Sequence, residues 1–263
     1  MIDSLRALIR LLLFIFLASS YILVSLWIHL VARDEFERRK RFSENAHAYC
    51  KSMCRLIGLK VTVKNLPPAN KVGMLVGNHM GFADIFSIAS LMPSLFVTSQ
   101  EMHQTPFIGL ITEFAGCVYV DRKNKSNILK ELDDMVEYLR LGFRVVLYPE
   151  ATSHNGEVIL PFKRTLIMAA AYAGVPLIPF VFNFKKINGE PFTKKYQDSV
   201  CFYGDIPFLT SMWNMIKLKQ IECEVEFLPD VIITPDHNRA AVADSVRQMI
   251  VEKFEPLQMN PAN

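Results

Sequence analysis

The chain is poor in the patterns that mark several large protein classes. Its five cysteines are an odd number without framework spacing, which excludes a disulfide-stapled scaffold and fits a reducing compartment. The net charge is only +3, with no long basic tract and no nucleic-acid motif, so nucleic acid is not an expected partner. There is no internal repeat, no low-complexity segment and no Gly-x-Ser-x-Gly elbow, which removes solenoids and the usual serine-nucleophile turn. His47, Cys50 and Cys54 fall on one helical face. Cysteine is commonly just a small buried hydrophobe, however, and no metal is expected.

What the chain has in excess is apolar residues, 51% of 263 with positive mean hydropathy. Residues 11–28 carry no charge, and only neutral His29 interrupts the run before Ala32. As a helix, 11–32 would be about 33 Å long, enough to cross a bilayer core. Cleavage as a signal peptide near Ala18 and Ser20 would leave 21–32 as an exposed apolar terminus, so a retained membrane helix is expected. Arg6 and Arg10 precede the run, and Arg33, Arg38, Arg39, Lys40 and Arg41 follow it. That bias places the bulk of the chain on the cytoplasmic face of the inner or plasma membrane. A span and a helix sunk in one leaflet both fit the pattern. Residues 35–57 continue as a charged, then amphipathic helix whose basic start suits anionic lipid heads. The expected division is an anchor and amphipathic helix over 1–57 and one domain over 58–263. Were a chain without 1–32 still to bind vesicles, the aromatic segment 208–216 would be a second anchor.

Beyond residue 58 apolar strands alternate with helical stripes. Strands are expected at 60–64, 72–76, 95–98, 117–120, 144–148, 177–183, 200–203 and 221–227. Helices are expected at 85–92, 107–114, 128–139, 165–173 and 242–254. The alternation predicts an α/β fold with a mixed, mainly parallel sheet flanked by helices. In 221–227, Glu222, Glu224 and Glu226 alternate with apolar residues, which reads as a strand with one solvated face.

The informative stretch is 72–91. An apolar strand ends at Gly77, and the polar turn Asn78, His79, Met80, Gly81, Phe82, Ala83, Asp84 leads into an apolar helix that stops at Pro93. His79 and Asp84 therefore sit at the mouth of a strand-to-helix turn, where α/β folds place reactive groups. A helix start favours the Asp84 carboxylate. It can accept from one imidazole nitrogen and leave the other as a base. Spacing alone is weak evidence, because His29 and Asp34 repeat it at the end of the apolar run.

Three further blocks accompany this turn: 116–122, Gly-Cys-Val-Tyr-Val-Asp-Arg; 148–152, Tyr-Pro-Glu-Ala-Thr, with Leu-Pro-Phe-Lys at 160–163; and 175–180, Val-Pro-Leu-Ile-Pro-Phe. Together and in this order they resemble the four blocks of the glycerolipid acyltransferases typified by 1-acylglycerol-3-phosphate acyltransferase. The resemblance covers about 72–179. It implies a membrane-bound O-acyltransferase of glycerophospholipid biosynthesis, moving a fatty acyl group from acyl-CoA or acyl carrier protein to a lysophospholipid hydroxyl. It implies His79 as the base acting directly on that hydroxyl, Asp84 as its support, and no cofactor beyond the acyl donor as co-substrate. Arg122 would bind the acceptor phosphate, and Asn78, Gly116, Glu150, Thr152, Lys163 and Pro179 would complete the substrate site. Membrane lipids are the implied partners.

Two departures separate the chain from the family pattern. Where the family has Glu-Gly-Thr-Arg, this chain has Glu150, Ala151, Thr152 and Ser153. Alanine suits the second position if its φ is negative. Losing one charge-assisted contact would weaken phosphate selection by roughly 10- to 150-fold, with Lys163 and Arg164 near enough in sequence to compensate. The same departure resembles the lyso-ornithine lipid branch, which gives an alternative acceptor. A lipid-binding protein that keeps the fold without activity is the non-enzyme alternative.

Overall fold

The structure, a computed structural model, describes residues 2–121 and 127–258. The elements in chain order are α1 (Ile2–Val31), α2 (Glu35–Ile57), β1 (Leu59–Lys64), β2 (Met74–Gly77), α3 (Phe82–Leu91), β3 (Leu95–Ser99), α4 (Gln100–Gln104) and α5 (Ile108–Phe114). Next come β4 (Val118–Val120), α6 (Ile128–Arg140), β5 (Val145–Leu147), α7 (Ala169–Ala173), β6 (Leu177–Ile187) and β7 (Glu190–Pro191). The remainder is α8 (Gln197–Val200), α9 (Phe208–Lys217), β8 (Ile221–Phe227) and α10 (Arg239–Val251).

The strands form one sheet in the order β1-β8-β6-β2-β5-β3-β4, with β7 paired to β6. All pairings are parallel except β6 with β8 and β6 with β7, so the mixed, mainly parallel sheet is found. β2 lies inside the sheet between β5 and β6 and is buried throughout, which its uniformly apolar sequence requires. Alternation along β2 splits the core. Leu75 joins Ile57, Ile88 and Phe180 beneath α2 and α3, while Met74 and Val76 join Met135, Ile167 and Val246 beneath α6, α7 and α10.

Two segments depart from expectation. Residues 200–203 are not a strand: α8 ends at Val200 and irregular chain follows, with the Phe202 N–H donating to Met80 O at 2.8 Å instead of to a ladder. The outer face of β8 is not simply solvated. Glu224 is buried because the strand is flanked by β1 and β6, and Lys64 Nζ covers its carboxylate at 3.0 Å.

α1 docks along most of its length. Ala7, Tyr21, Ser25 and Ile28 are buried on one face, whereas Leu12, Phe16, Leu23, Trp27 and Leu30 stand exposed on the other. The helix is anchored by polar ties at intervals. Arg10 donates to Ile216 O at 3.2 Å and Lys219 O at 3.1 Å at the end of α9; the Tyr21 hydroxyl donates to Ile111 O at 3.2 Å on α5; and Asn45 Nδ2 on α2 donates to Ser25 Oγ at 2.9 Å. Arginine suits the α9 terminus because the last carbonyls of a helix lack partners and carry its negative dipole end.

Candidate active site

β2 stops at a glycine because a Cβ on Gly77 would fall 2.2 Å from the Phe180 ring. The next side chain fixes the exit: Asn78 Nδ2 donates to Phe182 O at 3.0 Å, and the Phe182 N–H donates to Asn78 Oδ1 at 2.8 Å. Gly81 then takes φ +151°, a conformation closed to other residues, and starts α3. Asp84, in the first turn, closes the motif. Its Oδ2 accepts the N–H groups of Met80 at 2.6 Å and Gly81 at 2.8 Å, and its Oδ1 faces His79 Nδ1 at 2.9 Å. The side chain is fully buried, so these three donors and the helix N-terminus replace its water. An ionised carboxylate only accepts, so Nδ1 carries the proton and Nε2 keeps a free lone pair.

The turn is bracketed by distant chain. The His79 N–H donates to Glu150 Oε1 at 2.8 Å, and the His154 N–H donates to His79 O at 2.9 Å. Glu150 Oε2 accepts the Leu160 N–H at 2.6 Å, and Arg247 on α10 donates to Leu160 O at 2.9 Å. The Ser153 hydroxyl donates to Phe202 O, tying the same loop to the segment that holds Met80. Burial, with the nearby Asp84 charge, pushes the Glu150 carboxyl up to about 7 against the opposing pull of its two N–H donors. Burial pulls His154 down to about 4, which keeps it neutral. Its Nδ1 accepts the Gly156 N–H at 3.0 Å, and its Nε2 lies 3.8 Å from Glu150 Oε1.

Tyr148 stacks on the His79 ring with centroids 4.4 Å apart and planes 16° from parallel. Its buried hydroxyl lies beside Asp84, and burial first, then the Asp84 carboxylate, raises its pKa and keeps the phenol neutral. His79, Tyr148 and Thr152 line one side of a predominantly apolar cavity of about 260 Å³. Phe14 and Tyr21 of α1, Cys50 and Met53 of α2, Phe86 of α3 and Met212 of α9 line the rest. The arrangement presents an oriented imidazole to a water-poor, apolar space, where it can take a proton from a hydroxyl held beside it.

The structure sorts the residues named from sequence. His79 and Asp84 are joined, and Thr152 is on the cavity wall. Asn78 and Glu150 were expected at an acceptor. Both are buried with their side-chain oxygens accepting main-chain N–H groups, so they hold the turn. Pro179 lies buried inside β6, and Gly116 sits beside Leu95 and Phe42, its carbonyl accepting from Arg39 Nη1 at 3.3 Å. Lys163 is exposed, with its N–H donated to Pro149 O at 2.7 Å. Arg122 lies outside the described residues. Ala151 takes φ +59°, so the condition of a negative φ is not met and the residue in the family's glycine position is strained. Among the described residues no group of three or more His, Cys, Asp or Glu could hold a metal ion. His47 Nδ1 instead meets Ala89 O at 2.7 Å, and Cys54 Sγ meets Phe86 O at 3.5 Å.

Tyr148, His154, Phe202 and Arg247 were not foreseen. Tyr148 and His154 did carry a signal, since they flank Glu150 within one motif. Phe202 and Arg247 carried none, because only the fold brings them near.

Known proteins bear on this geometry. Residues 58–183 match the family described as Acyltransferase. The 1-acyl-sn-glycerol-3-phosphate acyltransferase of Neisseria gonorrhoeae is 27% identical over 184 residues, 70% of each chain. The lyso-ornithine lipid O-acyltransferase of Rhizobium meliloti is 28% identical over 204 residues, 75% of this chain and 70% of that one. The fold matches the crystal structure of the 1-acyl-sn-glycerophosphate (LPA) acyltransferase PlsC from Thermotoga maritima, with a TM-score of 0.67, 18% identity and 96% of both chains covered. An oriented imidazole on the wall of an apolar cavity, inside the stretch that matches this family's model, marks residues 58–183 as an acyltransferase domain.

Proposed function

We propose that the protein transfers a fatty acyl group from acyl-CoA or acyl carrier protein to the hydroxyl of a lysophospholipid, with 1-acylglycerol-3-phosphate as the leading acceptor. The observation that carries this is the His79–Asp84 pair opening onto the apolar cavity. The cavity takes an acyl chain. His79 Nε2 removes the acceptor hydroxyl proton as the oxygen attacks the thioester carbonyl; the C–S bond then breaks, and the leaving thiolate takes the proton back from the imidazolium. Asp84 steadies the tautomer and the transient positive charge. Arg122 supplies the anionic contact that the family resemblance implies, and Thr152 lines the cavity wall with His79.

In this reading α1 lies in one leaflet rather than crossing it. Leu5–Val31 is long and apolar enough to span a membrane, yet one face of α1 is docked on the domain from Ala7 to Ile28. A helix fixed sideways along a folded domain brings that domain to the lipid surface, where its substrates reside.

Thiol release by purified protein, measured with a panel of lysolipids of different head groups, tests the reading. Acceptor-dependent release is expected, with a modest preference for lysophosphatidic acid. No acceptor-dependent release in any mixture would leave a binding protein. The lyso-ornithine relative motivates including an amino-acid-headed acceptor in the panel. Ser153 is tied to Phe202 O, so charge restored at that position would also loosen the loop; Lys163 and Arg164, both exposed, are the cleaner places to alter phosphate selection.

A further inference from the structure

α1 is not the only apolar surface beside the cavity. α5 and α9 both pack on α1 and both line the cavity, through Ile108 and Ile111 on one side and Phe208 and Met212 on the other. They therefore stand next to α1 in the fold. Each presents large apolar groups outward: Phe107 is 78% exposed and Leu110 stands beside it, and Leu209 is 77% exposed with Trp213 one turn further along α9.

Phe107 is held out under strain. It has φ +63° and ψ −43°, and the Ile108 N–H closes a three-residue turn onto Pro106 O at 2.8 Å. A bulky residue rarely adopts this conformation, and in water both the strain and the exposed ring cost free energy. The charges around α9 are one-sided. Residues 206–219 contain Lys217 and Lys219 and no acid, Lys217 Nζ lies 5.9 Å from the Trp213 ring centroid, and Arg10 bonds the last carbonyls of α9. The exposed acids nearest in sequence, Glu113 and Asp205, stand at the far end of α5 and ahead of α9. Aromatic and aliphatic groups backed by cations fit the boundary between acyl chains and anionic head groups.

We propose that a lipid bilayer covers this face, with Phe107 and Leu110 on one side of α1 and Leu209 and Trp213 on the other as two further membrane contacts. This rests on the reading of α1 as a membrane-bound helix. Three contacts around one cavity fix the tilt of the domain, seal the cavity mouth against water, and let a lipid acceptor enter sideways from the leaflet. These groups flank elements packed on α1, so a soluble partner would compete with lipid for them.

The chain has two tryptophans, Trp27 on α1 and Trp213 on α9, which makes depth measurement direct. Full-length Trp213→Phe reports α1 alone, Trp27→Phe reports α9 alone, and Trp27→Phe/Trp213→Phe/Phe107→Trp reports the α5 tip. Each is added to vesicles of phosphatidylcholine and phosphatidylglycerol with doxyl-labelled lipid, after its thermal transition has been matched to the parent. The expected result is blue-shifted emission, quenching by shallow doxyl groups and protection from iodide at all three positions. Replacing Phe107 and Leu209 by serine should each weaken vesicle partitioning by roughly tenfold. An α1 indole in lipid, with the indoles on α9 and at the α5 tip both in water, would overturn this proposal and leave the α1 reading intact. All three in water would overturn both. Emission already shifted without vesicles and reversed by dilution would assign the face to a second copy of the chain, which also overturns it.

Discussion

His29 and Asp34 have the spacing of His79 and Asp84, and both aspartates serve a helix start. Asp34 caps α2, its Oδ1 accepting the Glu37 N–H at 2.8 Å, while His29 sits exposed in the last turn of α1. No hydrogen bond or ion pair joins the two. In the second pair the preceding element is a strand inside the sheet, and the chain folds back through Gly81, so one carboxylate serves the imidazole and the helix cap at once. A helix followed by a break points its final side chains away from the next cap. A strand that turns directly into a helix brings them together.

The largest expected effect separates the pairs. His79→Ala should lower turnover by roughly 10²- to 10⁴-fold with the thermal transition retained, whereas His29→Ala should leave turnover unchanged. Equal losses in steady-state assays would erase the distinction.

The second pair also rests on buried scaffolding that the first lacks, and His154 exposes it to pH. Its folded-state value near 4 lies below the ordinary 6.5, so neutral His154 contributes stability above about pH 6.5 that is lost as pH falls toward 4. The stability difference between the parent and His154→Leu in denaturant titrations should shift by about 2–3 kcal/mol across that window, which separates His154 from the opposing Glu150. Glu150 works the other way: raised to about 7, it favours the fold below its unfolded value and loses that contribution as pH rises through 7. An unchanged acid limb in His154→Leu would show that the histidine is not held neutral.

Asp34→Ala should cost about 0.5–2 kcal/mol through the lost cap while per-molecule turnover stays at the parent level. Asp34 would then be a capping residue only, and a fall in turnover at constant folded fraction would argue otherwise. The smallest effect is expected at Ala151. Ala151→Gly relieves a left-handed alanine and should raise stability by up to about 1 kcal/mol, read as a higher midpoint in thermal melts. A lower midpoint would mean that the loop is not strained there.

Much of this was legible in the chain. Alternating periodicity revealed the sheet, because strand and helix faces repeat at fixed intervals. The His79 turn was legible because its partners lie five residues apart. Residues 200–203 misled because β-forming side chains need a ladder partner, and Phe202 spends its N–H on Met80 O. The main-chain bonds of Glu150 were not legible, because a strand-end carboxylate looks the same whether it faces a ligand or a main-chain N–H.

By itself the sequence determined the α/β order, the apolar N-terminal helix and the motif that brings imidazole to carboxylate, all of which follow from local pattern. Tertiary structure alone decided the rest. It chose which aspartate meets its histidine and bound the His79 main chain to Glu150 and His154, more than seventy residues away. It also laid α1 and α2 over the cavity, so that Phe14 and Cys50 became walls of a site no local signal marks. Such contacts depend on chain folding back from afar, and the pattern of neighbours along a sequence does not encode which distant surfaces will meet.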